Sequence, residues 1–230
     1  MGKQDFFTRQ NLGDTFKKML LCGVAALLIG VGVVFYLRCG YGVDPISVWV
    51  DGLSKTFHIR YGTALLYHML VLLAAGLVLA RQNMGVGTVF IILAGGPAVN
   101  LIESLLVDVL PKNGDYPLVQ RVLMLAGGVL FLSMGLALQV GCRFGYNTND
   151  VLLFKIVQLT GLQYHWVKVA GDWVFVLAGF LLGGAVGVGT VLSALLVGPL
   201  IRTFAKFYNH TILKVLHLQD ERNEFQQAAA

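Results

Sequence analysis

The stretch MGVGTVFIILAGGP, Met84 to Pro97, is written a second time as VGVGTVLSALLVGP, Val186 to Pro199. Eight of the fourteen aligned positions are identical, more than two apolar segments would share by composition alone. Sliding one half of the chain on the other places Arg38, Gly40 and Tyr41 of LRCGYGVDP on Arg143, Gly145 and Tyr146 of CRFGYNTND at an offset of 105. The GVGT motifs then align at 102, after a three-residue gap near Arg81. Each half reads as a span, a Gly-Tyr break, a short segment, a second span and a GVGT span. A duplicated unit of this size is an architectural statement, and the solvent decides which architecture it is.

The 230 residues are 57% hydrophobic and 13% charged, with a mean hydropathy of +0.74, whereas soluble domains carry about one quarter charged residues. This is the composition of a membrane protein. Six apolar spans follow, at about 17–38, 59–81, 84–108, 117–141, 163–184 and 186–212, each near the roughly 20 residues that cross about 30 Å of hydrocarbon. The first is too long for a signal peptide and lacks its cleavage pattern. Cys22, Cys39 and Cys142 are scattered without metal spacing and read as apolar filler, so neither a metal nor any other cofactor is expected.

Orientation follows from the basic residues. With the N-terminus cytoplasmic, twelve of the 17 Lys and Arg fall inside and five outside, which favours N-in and C-in. The pI near 9.2 is then topology, and no basic motif calls for a nucleic acid. Three crossings per repeat turn the second repeat upside down relative to the first. The expected fold is all-α: a tail at 1–16, a first repeat at 17–108, an external loop at 109–116, a second repeat at 117–208 and a cytoplasmic tail at 209–230. Inverted repeats of this kind recur in secondary transporters, whose sites lie where the repeats meet.

The short segments are predicted helices. Asp44 before Pro45 is a start signal, giving Pro45 to Thr56, and Asp150 to Leu159 follows the cap residues Thr148 and Asn149. Two readings stay open for both: re-entrant half-helices that aim their N-termini inward, or amphipathic helices on the surface. In the first reading Arg38, Tyr41, Asp44, Ser47, Arg143, Tyr146, Asn149 and Asp150 line a substrate site. Two arginines beside two helix N-termini there favour an anion.

Lys168 and Asp172, four apart in a span, are expected to pair and to serve structure or ion coupling. His68 and His165 read as structural. Asn100 and Glu103 are placed to line a path, with a position near the outer interface an equal reading for Glu103. Gly85, Thr88, Gly96 and Pro97, like Gly187, Thr190, Gly198 and Pro199, recur at helical spacing as small packing residues followed by a kink.

GYGVDPISV with GVGTVFIILAGGP, and GYNTND with Lys168, Asp172 and LLGGAVGVGTVLSALLVGP, resemble the YczE/YyaS/YitT family of bacterial integral membrane proteins. The resemblance runs from about Leu21 to Phe204. It implies an inner-membrane protein, here the shorter YczE-like form without an added C-terminal domain, and it carries over no substrate or catalytic residue. The expected function is transport of a small solute by alternating access. The expected partners are the lipid bilayer, that solute and, in a homo-oligomer, further copies of the chain. The alternative is a membrane scaffold that supports another system. No GxSxG, HExxH or paired-aspartate motif points to an enzyme.

Overall fold

The computed structural model describes residues 12–79, 86–111, 116–142, 144 and 147–216. Gly85, Arg143 and Tyr146 lie outside these residues. Every regular element among the described residues is a helix: α1 (Leu12–Cys39), α2 (Pro45–Thr56), α3 (Tyr61–Leu79), α4 (Val86–Leu105), α5 (Leu118–Gly141), α6 (Thr148–Thr160), α7 (Tyr164–Leu181), α8 (Val188–His210) and the single turn α9 (Ile212–Val215). Five stretches, at α1, α3, α4, α5 and α8 with α9, are long and apolar enough to cross a membrane. The sixth expected span is α7, whose 18 residues include Lys168 and Asp172.

The elements start where local chemistry says they should. Asp44 accepts a hydrogen bond from the Ser47 amide at 3.3 Å, and Pro45 occupies the first helical position of α2. At α6 the cap is Asn147, whose side chain accepts from the Asn149 amide. The helix therefore begins at Thr148, two residues before the expected start, because Thr148 and Asn149 are already inside it. Gly40 and Gly42, with φ of 73° and 94°, turn the chain out of α1 in a conformation that side chains resist.

At the centre α1 crosses α5. A Cβ on Gly32 would stand 2.6 Å from the Leu132 amide nitrogen, and one on Gly135 2.8 Å from the Ala25 carbonyl oxygen, so small residues set how closely these backbones approach. α4 flanks α1 and α8 flanks α5; α2 packs on α7 and α3 on α6; α2 meets α3 and α6 meets α7. Exchanging the two halves maps each of these contacts onto another. The face of α2 made by Ser47, Val48, Val50, Asp51 and Gly52 is buried, so this helix is packed into the bundle and does not lie free on its surface.

One contact breaks the correspondence. α3 and α4 touch closely through Gly62 and Gly96, with Asn100 Oδ1 accepting the Gly62 amide at 3.0 Å. In the second half Gly198 meets nothing within 4 Å, and the position matching Gly62 is His165, an exposed side chain too large for such an approach. Among the described residues, Gly198 thus has open space where Gly96 meets a neighbouring helix. Both helices run on past Pro97 and Pro199, so neither proline ends its helix. Gly96→Ala is expected to cost about 1–3 kcal/mol through a clash with the Gly62 backbone. Gly198→Ala should be neutral or stabilise by about 1 kcal/mol. Thermal unfolding in detergent compares them, and equal losses would contradict the asymmetry.

Candidate functional site

The two GVGT stretches sit at helix starts, and each docks on the other half's break. Gly187 caps α8 in an extended conformation, outside the helix rather than on its face, and Thr190 Oγ1 reaches back to accept the Gly187 amide at 3.2 Å. The Gly189 amide donates to the Tyr41 carbonyl at 2.7 Å, and the Val43 amide to the Ala185 carbonyl at 3.2 Å. Gly187 lies against the Tyr41 carbonyl, and Gly87 against the Phe144 backbone. Thr88 is fully buried beside it. Glycine is needed at these places because backbone meets backbone.

From these fixed breaks α2 and α6 start toward a shared polar seam. The Tyr61 hydroxyl donates to Ser47 Oγ at 2.8 Å, and the Tyr164 hydroxyl to Asp150 Oδ1 at 2.9 Å. The caps Asp44 and Asn147, the third residues Ser47 and Asp150, and the tyrosines Tyr61 and Tyr164 are each 103 positions apart. The same device is built once at each short helix.

His68 on α3 ties the two together. Trp49 Nε1–H, which can only donate, points at His68 Nδ1 at 3.2 Å. Nδ1 must therefore accept, and Nε2–H donates to Asn149 Oδ1 at 3.2 Å. His68 is thereby held as the neutral Nε2–H tautomer, since a proton on Nδ1 would break the indole bond. Phe175 on α7 meets the imidazole edge to face.

Along α7, Lys168 Nζ donates to Asp172 Oδ1 at 3.3 Å, with side chains 40% and 25% exposed. Asp44 and Asp150 both lie within electrostatic range of Asp172, and Asp150 of Lys168 as well. The seam runs from Asp44 through Asp172 to Asp150, with three carboxylates and Lys168 as the cation among them.

Arg38 does not join it. Its guanidinium donates to Glu103 Oε1 on α4 at 3.4 Å, and the two side chains are only 3% and 6% exposed. The structure places Arg38, expected in the substrate site, in an internal ion pair between α1 and α4, with Glu103 buried beside it. Asp51 holds Lys55 at 2.7 Å and accepts the Ala185 amide at 2.9 Å, fastening α2 to the α7–α8 connection.

Tyr41 contributes its carbonyl to the interlock, Asp44 and Ser47 form the start of α2, and Asn149 and Asp150 the start of α6. The sequence reading missed Tyr61, Tyr164, Trp49 and Asn147. Aligning the halves at 103, between the offsets 105 and 102, exposes the tyrosines and the caps; Trp49 has no such signal. A shallow hollow of about 270 Å³ lined by Trp173, Val174, Val176, Leu177, Phe180 and Val186 is apolar and carries none of the seam residues.

Long apolar helices around a buried polar seam define a multi-pass membrane protein. The chain belongs to the family of unknown function DUF6198, which matches residues 16–206. It is similar to an uncharacterized protein of Haemophilus influenzae, 26% identical over 209 residues that make up 90% of each chain. It is also similar to the uncharacterized protein YyaS of Bacillus subtilis, 22% identical over 190 residues, 81% of this chain and 92% of that one. The uncharacterized membrane protein YczE of Bacillus subtilis is 28% identical over 94 residues, 41% of this chain and 43% of its own. These relatives bear out the YczE/YyaS resemblance. No solved structure matches the chain.

Proposed function

We propose that the protein carries a small polar solute across the bacterial inner membrane by alternating access between two inverted repeats, with both termini cytoplasmic. The observation that supports this is the twinned device: two short helices, each started by a capped break and held by a tyrosine 103 positions from its mate, converge on one polar seam. Ionisable groups within membrane-spanning helices are costly unless they pair or line a water-filled path. A half-exposed Lys168–Asp172 pair on α7 beside Asp150 fits such a path. With Arg38 neutralised by Glu103, the described seam is net acidic, so the solute is neutral or cationic rather than anionic. Lys168 and Asp172 hold the seam together, and no enzymatic step is assigned to it.

The test is uptake by purified protein in liposomes offered a mixture of small metabolites, read by mass spectrometry of the lumen. A neutral or cationic solute is expected to accumulate. Tyr164→Phe, which removes the hydroxyl bonded to Asp150, should cut uptake by about ten- to a hundredfold, as a charge-assisted bond of some 1.5–3 kcal/mol implies. Folded protein that moves nothing would leave the scaffold reading in its place. A reporter fused after Asn113 that reads cytoplasmic would remove the inversion on which the mechanism depends.

A further inference from the structure

Asp44 is a carboxyl group without a counter-charge. Asp51 has Lys55, Glu103 has Arg38 and Asp172 has Lys168, whereas Asp44 forms no ion pair among the described residues. It sits in the break between α1 and α2, where Oδ2 caps α2 through the Ser47 amide at 3.3 Å, while Oδ1 is sealed from solvent and has no hydrogen-bond partner. The titratable groups that face it bring no cation: the phenols of Tyr36 on α1 and of Tyr61 on α3, the latter bonded to Ser47, and the carboxylate of Asp172 on α7. Arg121 on α5 comes to the break at Gly40 and bonds the Tyr116 carbonyl. α8, which also touches α2, carries Arg202, Lys206 and His210 toward its far end. A bare charge on such an oxygen is expensive, and a carboxylate in the interior relieves that cost by taking a proton. Burial pushes the Asp44 carboxyl above the ordinary carboxylate range; its bonds with Ser47 hold it down, and the Asp172 charge raises it.

The duplication supplies an internal comparison. The same cap in the second half is Asn147, 103 positions on, whose Oδ1 accepts the Asn149 amide at 3.2 Å. Asparagine is the neutral isostere of a protonated aspartate: one terminal atom accepts the amide, and the other carries hydrogen. Both residue types cap a helix equally well, so the device needs only a neutral acceptor here. What Asp44 adds over Asn147 is a proton that can leave. The residue as a whole is only half-buried, so that proton is not locked in.

We propose that Asp44 holds a proton on Oδ1 at neutral pH and releases it when the seam changes its exposure, which makes it the proton-coupling residue of the site. The coupling role rests on the transport reading; the bound proton does not. With Asp44 neutral, Asp150 and Asp172 still outnumber Lys168, so the seam keeps the net negative charge that favours a cation.

The experiment is infrared spectroscopy of the purified full-length protein beside Asp44→Asn, with thermal unfolding of both across pH. At neutral pH the wild type is expected to show the carbonyl band of a neutral carboxyl group that Asp44→Asn lacks. A carboxyl that titrates higher in the fold than its unfolded value of about 3.9 lends stability that is present below that value and lost as pH rises through the folded one. Between about pH 4 and neutrality the wild type should therefore lose about 3 °C or more of melting temperature relative to Asp44→Asn, the effect of a shift of at least one unit. Absence of the band, or an Asp44→Asn variant that fails to fold at neutral pH or loses ground to the wild type as pH rises, shows a charged carboxylate and overturns the proposal. In liposomes offered the metabolite mixture, a gradient of about one pH unit is expected to raise accumulation by up to about tenfold in the wild type, and Asp44→Asn should lose that response. A response that survives in Asp44→Asn overturns the coupling role. A bound proton without any solute uptake would leave the proton site standing and remove the transport reading, so the two failures are distinguishable.

Discussion

Glu103→Gln is expected to destabilise the protein by about 3–5 kcal/mol, because it leaves the Arg38 guanidinium buried without its counter-charge. The geometry leaves the pair vulnerable: both side chains are almost fully buried, and Arg38 Nε already lacks a hydrogen-bond partner. Arg38→Met combined with Glu103→Leu should recover much of the loss, since removing both charges strands neither. Chemical unfolding in detergent, run as a double-mutant cycle, measures the coupling. A Glu103→Gln variant within about 0.5 kcal/mol of the wild type, the range of an ordinary surface substitution, would show that Arg38 draws its stability elsewhere and would reopen an anion-binding role.

Gly42→Ala is expected to cost about 2–5 kcal/mol, the sum of a positive-φ penalty near 1–2 kcal/mol and an overpacking penalty near 1–3 kcal/mol. At φ 94° an added Cβ would run into the Gly187 amide nitrogen and come to 2.7 Å of Thr190 Oγ1. It would wedge apart the interlock where the break of one half meets the helix start of the other. Gly161→Ala supplies the comparison: its φ is 69°, but nothing lies within 4 Å, so only the backbone penalty of about 1–2 kcal/mol applies. Comparable losses at the two positions, read by thermal unfolding, would mean that the interlock contributes nothing beyond local strain.

Much of the architecture was legible in the chain. Hydropathy placed every long helix within a few residues, because an apolar run of that length has few alternatives in a bilayer. Pro45 behind Asp44 placed the start of α2, because a cap and a fixed φ act through neighbours in sequence. The second cap was misplaced at Thr148 and Asn149, since a run of three residues that can all cap leaves local chemistry undecided; the fold chose Asn147.

What the sequence alone determined is the membrane-protein class, the duplication and the positions of the breaks, all of which follow from composition and from interactions within a few residues. The tertiary structure alone decided the partners. Arg38, read as half of an anion site by its repeat position, found Glu103 65 residues away. His68, read as a lone residue, found Trp49 and Asn149 and so joined α2, α3 and α6. Gly187, read as part of one helix face, became with Gly87 and Gly189 a contact point between one half's helix start and the other half's break. Gly198, identical in sequence to Gly96, was left without a neighbour because His165 stands where Gly62 stands in the first half. The reason is physical: a charge, a ring nitrogen or a bare Cα is satisfied by whatever the fold brings within a few ångströms, and in a bundle of long helices that neighbour comes from the far side of the chain.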